Sequence, residues 1–166
     1  MADVAAGLGE ALAAADPSCA AAHREAAAAY RQQLDALDAE IAGILAAVPL
    51  AHRKLVTNHH AFGYFADRYG FEVVGAIIPG GSTLAEPSAA DLAALVEILR
   101  SEGVRAIFTE TTQSADLAEA LAAELGGQVA VVSLYTGSLG EPGSGADTYI
   151  AMQRMNAERI AAALTP

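Results

Sequence analysis

The chain has 166 residues, and its 20 acidic residues against 9 basic ones give a formal net charge of −11 at pH 7. Phosphate binding needs clustered Lys and Arg, so this charge argues against a nucleic-acid partner. The single cysteine, Cys19, excludes an internal disulfide and a cysteine-rich zinc site, and no uncharged apolar run reaches the roughly 18 residues of a membrane span.

Two helices are predicted at the start of the chain. Apolar residues at intervals of four predict a helix over 3–15. Asp16 and Pro17 suit the N-cap and the first turn of a second helix. Apolar residues at intervals of three and four then continue over 18–48, which predicts one amphipathic helix of about 45 Å. We therefore interpret 1–48 as a helical segment that precedes the rest of the fold.

From residue 49 onward, short apolar strands alternate with amphipathic helices. Strands are predicted at 54–57, 72–78, 104–110 and 128–134. Helices are predicted at 60–69, 88–101, 114–125 and about 148–164, with a loop at 79–88 and a capping box formed by Ser88 and Asp91. Such alternation is typical of a parallel sheet covered on both faces. The predicted fold class is α/β: a four-stranded parallel sheet in a domain at 49–166, flanked by helices and preceded by a long connecting backbone helix.

Polar residues stand at the predicted strand ends, where ligands bind in parallel α/β folds. The first strand ends at His59 and His60, the second at 78–80, the third at Glu110 and the fourth at Tyr135. We expect these four loops to converge at one rim of the sheet.

His59 is the candidate metal ligand of this rim. It is predicted to lie at a helix start, where the helix dipole favours the neutral imidazole that a metal requires. The alternative is a polar residue near a helix N-terminus. His60 cannot share the same ion, because paired ligands on a helix need a spacing of three or four, and it is expected to face solvent or to support the site. His23 and His52 are also expected to face solvent.

Glu110 has three interpretations: a metal ligand, a base, or a hydrogen-bond anchor for a neighbouring loop, of which the anchor is favoured. An acid–base pair of His59 and Glu110 would make the chain a small enzyme, but the sequence suggests no substrate, and we predict no catalysis. A dinucleotide is not expected, because no G-x-G-x-x-G motif is present. A G-x-S-x-G elbow is absent too, and the spacing of Ser133 and Ser138 favours no hydrolase.

Three stretches resemble the zinc- and manganese-binding receptors of ABC importers, the TroA-like group. VTNHHAFGYFADRYG, at 56–70, resembles the family's His-Asp-Ala-Phe-Gly-Tyr-Phe segment. AEPSAADLAALVEILRSEGVRAIFTE, at 85–110, is similar to the stretch between its second and third strands, and LYTGSLGEPGSGADTYIAMQRMNAERIAAAL, at 134–164, to its C-terminal segment. The helix at 18–48 resembles the rigid helix that joins the family's two lobes.

The resemblance implies a metal site between two lobes. The N-terminal lobe supplies two histidines, and the C-terminal lobe supplies a His or Glu together with an Asp. This chain resembles the C-terminal lobe with its connecting helix. His59 falls on the lobe's histidine, whereas His60 replaces the aspartate usually beside it.

The other ligand position of the lobe departs from the family's pattern. The family usually has Thr-Asp-Ser or Ser-Asp-Ser there, but this chain has glycine at the middle position, and Gly137 cannot coordinate a metal. Glu110, Glu141, Asp147 or a water molecule could take the place of the aspartate. Zinc needs four ligands, so we expect weak or absent binding by this chain alone. The loss of a carboxylate favours zinc over manganese.

The function implied by the resemblance is that of a metal-binding lobe, with zinc the first choice and manganese the second. The parent would be an extracytoplasmic substrate-binding protein, periplasmic or anchored at the cell surface, that delivers metal to the membrane permease of an ABC importer. The first 16 residues contain three acids and no basic segment, so no export signal is expected within this chain. The alternatives are a surface adhesion or structural domain without metal, and the small enzyme described above.

Overall fold

The computed structural model describes residues 1–78 and 87–166. The chain forms two compact units, 1–43 and 44–166. The division at residue 48 expected from the sequence stays a prediction. The loop expected at 79–88 lies outside the described residues except for its last two positions. No helix among the described residues is both long and apolar enough to span a membrane.

The first unit is built from two helices, α1 at Ala2–Ala15 and α2 at Ala20–Leu45, the last two residues of which belong to the second unit. A short 3-10 turn at Pro17–Cys19 separates them, and the Asp16 carboxylate accepts the backbone N–H groups of Ser18 and Cys19 at 3.1 and 3.3 Å. This confirms Asp16 as the N-cap. The turn also shortens α2 to 26 residues, or about 39 Å.

Small residues let the two helices of this unit approach closely. A Cβ added at Gly9 of α1 would collide with the Cβ of Ala27 in α2. Ion pairs flank this crossing, with Arg24 of α2 bonded to Glu10 of α1 at 3.0 Å. Exposed ion pairs contribute little energy, so the crossing depends mainly on the fit of small side chains.

The second unit is a parallel sheet with helices, as the alternating pattern predicts. The strands are β1 (Lys54–Thr57), β2 (Glu72–Ala76), β3 (Ala106–Glu110) and β4 (Ala130–Leu134). The helices are α3 (Gly63–Tyr69), α4 (Ala89–Glu102), α5 (Asp116–Glu124) and α6 (Tyr149–Leu164). The four strands lie in the order β2-β1-β3-β4, and every neighbouring pair is parallel. The predicted fold class is confirmed.

The core lies on both faces of the sheet because its central strands are buried at every residue except Lys54, the first of β1. Val56 of β1 and Ile107 of β3 pack with Leu95 and Leu99 of α4 in one apolar cluster. Side chains alternate along a strand, so the neighbouring Phe108, 1% exposed, points to the opposite face. Buried strands of this kind need helices on either side, which is what the chain supplies.

Two side chains near the start of β1 bind distant main-chain carbonyls. Arg53 donates to the carbonyl oxygens of Leu45, Val48 and Tyr69 at 3.0 to 3.1 Å. His52, predicted to face solvent, is half-buried, and its Nδ1 lies 3.0 Å from the carbonyl oxygen of Leu164. That prediction was wrong because the partner of His52 is 112 residues further along the chain.

Candidate metal centre

The site lies where the two central strands end. β1 and β3 are parallel neighbours, with Thr57 paired with Phe108, so their carboxyl ends share one edge of the sheet. His59 follows β1 by two residues, and Glu110 is the last residue of β3. The strand order therefore brings together two residues that lie 51 positions apart in the sequence (110 − 59).

His59 and Glu110 contact each other through their side chains. Nδ1 of His59 meets Oε1 of Glu110, and this nitrogen has no hydrogen-bond partner elsewhere in the described part of the chain. The Glu110 side chain is only 8% exposed, whereas the His59 ring is 27% exposed. A carboxylate this buried is costly unless a cation or a donor compensates it. An imidazole nitrogen and a carboxylate oxygen are both ligands that zinc accepts.

His59 is not at a helix start, which corrects one expectation. The helix that follows, α3, begins four residues later at Gly63. Because the helix dipole acts within the first turn, the argument from the dipole of α3 does not apply to His59. The loop is instead held by its main chain: the carbonyl of His59 accepts the Thr57 hydroxyl and the Ala61 N–H, each at 2.8 Å. His60 is exposed, as predicted.

The structure distinguishes the carboxylates that could replace the aspartate expected at Gly137. Among the described residues, Glu110 is the one that contacts His59. Glu141 is exposed, and Asp147 is exposed and accepts the N–H of Gly143 at 2.9 Å. No group of three or more His, Cys, Asp or Glu side chains that could hold a metal occurs among the described residues. The described chain thus brings together two side chains of types that zinc accepts, those of His59 and Glu110.

The end of β4 leaves room beside Gly137. A Cβ at this glycine would have one neighbour within 4 Å, the hydroxyl of Thr112 at 3.9 Å, so a side chain fits. The preceding Thr136 has a buried hydroxyl with no hydrogen-bond partner within residues 1–78 and 87–166. This strand end therefore combines space for a Cβ at Gly137 with a buried hydroxyl at Thr136.

Two buried amide side chains at this edge of the sheet, those of Asn156 and Asn58, are not predicted from the sequence. Asn156 of α6, 3% exposed, accepts the N–H of Tyr135 at 2.9 Å and donates to its carbonyl at 2.7 Å. Its signal is an asparagine in the apolar row of α6, between Met152 and Ile160 at intervals of four. Asn58, 6% exposed, donates to a side chain in the loop after β3 and carries no comparable signal in the sequence.

Known proteins similar to this chain are metal-binding proteins of bacteria. The zinc-binding protein TroA of Treponema pallidum (strain Nichols) is 39% identical over 137 residues, which are 80% of this chain and 44% of that protein. The manganese-binding lipoprotein MntA of Bacillus subtilis (strain 168) is 36% identical over 137 residues, again 80% of this chain and 44% of the relative. The chain thus spans about half the length of these relatives.

The fold is similar to a solved structure as well. The periplasmic zinc binding protein TroA from Treponema pallidum superposes with a TM-score of 0.85 at 35% sequence identity, over 96% of this chain and 58% of that chain. Residues 1–163 match the family model of ZnuA, the periplasmic component A of a zinc-uptake complex. The chain therefore belongs to the ZnuA family of metal-binding solute receptors.

Proposed function

We propose that this chain is a metal-binding lobe of an extracytoplasmic substrate-binding protein that delivers metal to the membrane permease of an ABC importer. The observation that carries the proposal is the contact between Nδ1 of His59 and Oε1 of Glu110 at the carboxyl edge of the sheet. The family membership supports it, as do relatives named for zinc or manganese binding. The extracytoplasmic location rests on relatives described as periplasmic or as lipoproteins.

Zinc is the first choice of metal because one donor is an imidazole nitrogen. Zinc accepts nitrogen and oxygen ligands in a tetrahedral site, whereas harder cations such as manganese prefer carboxylates. In this proposal His59 is the nitrogen ligand, and Glu110 replaces the carboxylate that Gly137 lacks. Two donors make half of a tetrahedral set. The chain alone should bind zinc weakly, and the remaining ligands would come from the rest of a longer protein or from water.

A competitive zinc titration of the chain tests this assignment. We expect an affinity weaker than micromolar, which His59→Ala abolishes and Glu110→Gln strongly reduces, because each removes one of two donors. His60→Ala is the matched control, since this neighbouring histidine is exposed and is not a proposed donor, and it should leave the affinity unchanged. Submicromolar binding by the chain alone, or an unchanged affinity in His59→Ala, would show that the site is wrong.

An acid–base pair is the second candidate function, because the same contact between His59 and Glu110 would serve general acid–base chemistry. The family to which the chain belongs is one of solute receptors, which favours binding. The two functions differ in what His59→Ala removes: metal binding in a receptor, turnover of a substrate in an enzyme. A surface adhesion or structural domain would lose neither.

A further inference from the structure

We propose that Asn58 and Gln113 are positioning residues that hold His59 against Glu110. The proposal rests on the proposed function in taking His59 and Glu110 as the metal donors. Its structural basis is one hydrogen bond between buried or half-buried side chains: Nδ2 of Asn58 donates to Oε1 of Gln113 at 2.9 Å. This bond joins the loop after β1 to the loop after β3.

The backbone of Asn58 is held in place by two main-chain hydrogen bonds. Its N–H donates to the carbonyl of Phe108 in β3 at 3.1 Å, and its carbonyl accepts the N–H of Ile78, just beyond β2, at 2.9 Å. The residue is therefore held from both sides by the neighbouring strands, and it is 6% exposed. A side chain on so fixed a backbone has few directions open to it. His59 is the next residue in the chain and inherits this constraint.

Gln113 is tied to the other donor. Its backbone N–H donates to the carbonyl of Glu110 at 3.2 Å. The contacts then form a closed ring. The side chain of His59 touches Glu110, the main chain of Glu110 binds Gln113, the side chain of Gln113 binds Asn58, and Asn58 is bonded covalently to His59.

The ring matters because it ties the loop that carries His59 to the strand end that carries Glu110. The His59 ring is 27% exposed and belongs to a loop. Loops hold side chains less precisely than strands do, and metal affinity depends on ligands kept within about 0.5 Å of the productive position. The bond between Asn58 and Gln113 is partly buried, so water competes less for its donor and acceptor than it would at the surface. The hydrogen bond between the side chains of Asn58 and Gln113 thus joins the loop after β1 to the loop after β3 beside the donor pair.

Two substitutions at Gln113 test the link. Gln113→Met has nearly the same size but no acceptor, so it should release the loop after β1. Gln113→Glu keeps an oxygen acceptor for Asn58 whichever way the side chain is turned, and should retain the link. Leu95→Ala is the control for general destabilisation, because Leu95 is a core residue of α4 in an apolar cluster that includes none of the four residues of the ring.

The first measurement uses the metal-free chain. The side-chain rotamer of His59 is followed by NMR through its three-bond couplings and ring relaxation. We expect one rotamer in the parent chain, in Gln113→Glu and in Leu95→Ala, but averaging over rotamers in Gln113→Met. A single unchanged rotamer in Gln113→Met, or averaging in Gln113→Glu as well, would overturn the proposal.

The second measurement is a zinc titration of the same variants. Gln113→Met should weaken zinc binding about tenfold, the size of effect typical when a residue that supports a metal ligand is lost. Leu95→Ala should lower the melting temperature and leave the zinc affinity unchanged. If His59→Ala leaves the zinc affinity unchanged while the NMR result is as expected, the proposed function fails and the link between the loops stands. If Gln113→Met keeps full zinc affinity, the link does not position the donors.

Discussion

Gly137 lies where the family resemblance leads us to expect an aspartate. The described chain brings together the two proposed donors, His59 and Glu110. The hydroxyl of Thr136 beside Gly137 is buried without a partner among the described residues, and the backbone at Gly137 has space for a Cβ. The position of Gly137 therefore lacks a carboxylate because of its residue type, and a Cβ there meets no close neighbour among the described residues.

Restoring the carboxylate should strengthen metal binding. We expect Gly137→Asp to raise the zinc affinity of the chain about tenfold, or about 1.4 kcal/mol, because it adds a charged oxygen donor at an uncrowded position. The measurement is a competitive zinc titration. Gly137→Asn is the matched control, with the same size and no charge, and should gain much less. Equal affinities in the parent and Gly137→Asp would mean that this strand end does not face the metal.

Sequence patterns identify the polar residues at the strand ends, but they do not identify the amide side chains that we propose position them. His59 and Glu110 are identifiable because polar residues after apolar strands have a known place in parallel α/β folds. Asn58 and Gln113 are not identifiable, because an amide pair 55 residues apart leaves no periodic signal. His59 was also placed one turn too close to a helix, since local patterns locate helix ends poorly and α3 begins only at Gly63.

The start of α4 and the end of α2 are stabilised by side chains in two different ways. Ser88 and Asp91 form the predicted capping box at the start of α4: the Ser88 hydroxyl accepts the Asp91 N–H at 3.2 Å, and the Asp91 carboxylate accepts the Ser88 N–H at 3.0 Å. The end of α2 has no such local cap in its sequence. The carbonyl of Leu45, its last residue, is bound by the side chain of Arg53, which lies after the helix.

The capping box should make the stability of α4 depend on pH. Hydrogen bonds from the hydroxyl and then the backbone N–H of Ser88 lower the pKa of Asp91 below its ordinary value of 3.8. The folded pKa is the lower one, so the carboxylate stabilises the fold above that ordinary value, and this contribution is lost as the pH falls through the folded pKa. We expect Asp91→Asn to be less stable than the parent near neutral pH.

The check is urea denaturation of the parent and Asp91→Asn between about pH 7 and about pH 2. Their difference in unfolding free energy should shrink as the solution becomes acidic, because both then carry an uncharged side chain at position 91. A difference that stays constant over this range would mean that the charge of Asp91 does not stabilise the helix start.

Arg53 should be a larger contributor to stability than its partial exposure suggests. Arg53→Met keeps the apolar stem but removes the donors to three carbonyls, those of Leu45 at the end of α2, Val48 and Tyr69. The Leu45 carbonyl keeps the Val48 N–H as a partner, so we expect a loss of about 2 kcal/mol in unfolding free energy, the size typical of a hydrogen bond that involves a charged group. Denaturant unfolding measures it. Arg105→Met, at an exposed arginine, is the matched control and should change stability by less than about 0.5 kcal/mol.

The whole molecule carries far more negative than positive charge. Its formal net charge of −11 at pH 7 is spread over 166 residues, and the ion pairs that use its few cations are mostly exposed, as between Arg24 and Glu10. Exposed pairs add little, so repulsion among carboxylates is the larger electrostatic effect on the folded state. The same charge gives a positively charged metal ion a favourable field at the surface.

Screening this repulsion should stabilise the protein. The Debye length falls from about 30 Å at 0.01 M salt to about 8 Å at 0.15 M, so sodium chloride weakens interactions between distant carboxylates first. We expect the melting temperature to rise by a few degrees over this range in a thermal unfolding experiment. A falling melting temperature would mean that attractive ion pairs, and not repulsion, dominate the electrostatics of the fold.

The sequence by itself determined the types of element, their order along the chain and the caps at Asp16 and Ser88, and it singled out His59 as the candidate metal ligand, with Glu110 favoured as a hydrogen-bond anchor. Each of these follows from local spacing: apolar periods of two or three to four residues, and polar residues next to an element's end. The family resemblance depended on short stretches read in the same local way, and the match over residues 1–163 confirms it.

The tertiary structure alone decided which strand ends meet. The order β2-β1-β3-β4 places β1 beside β3, so His59 contacts Glu110 and Asn58 donates to Gln113. The packing of α6 likewise brings the carbonyl of Leu164 to His52, 112 residues away in the chain. Periodicity cannot encode this order, because a parallel strand exposes the same apolar faces whichever neighbour it has. The neighbours are chosen by how helices and strands pack over the whole unit, and with them the geometry of the candidate metal centre.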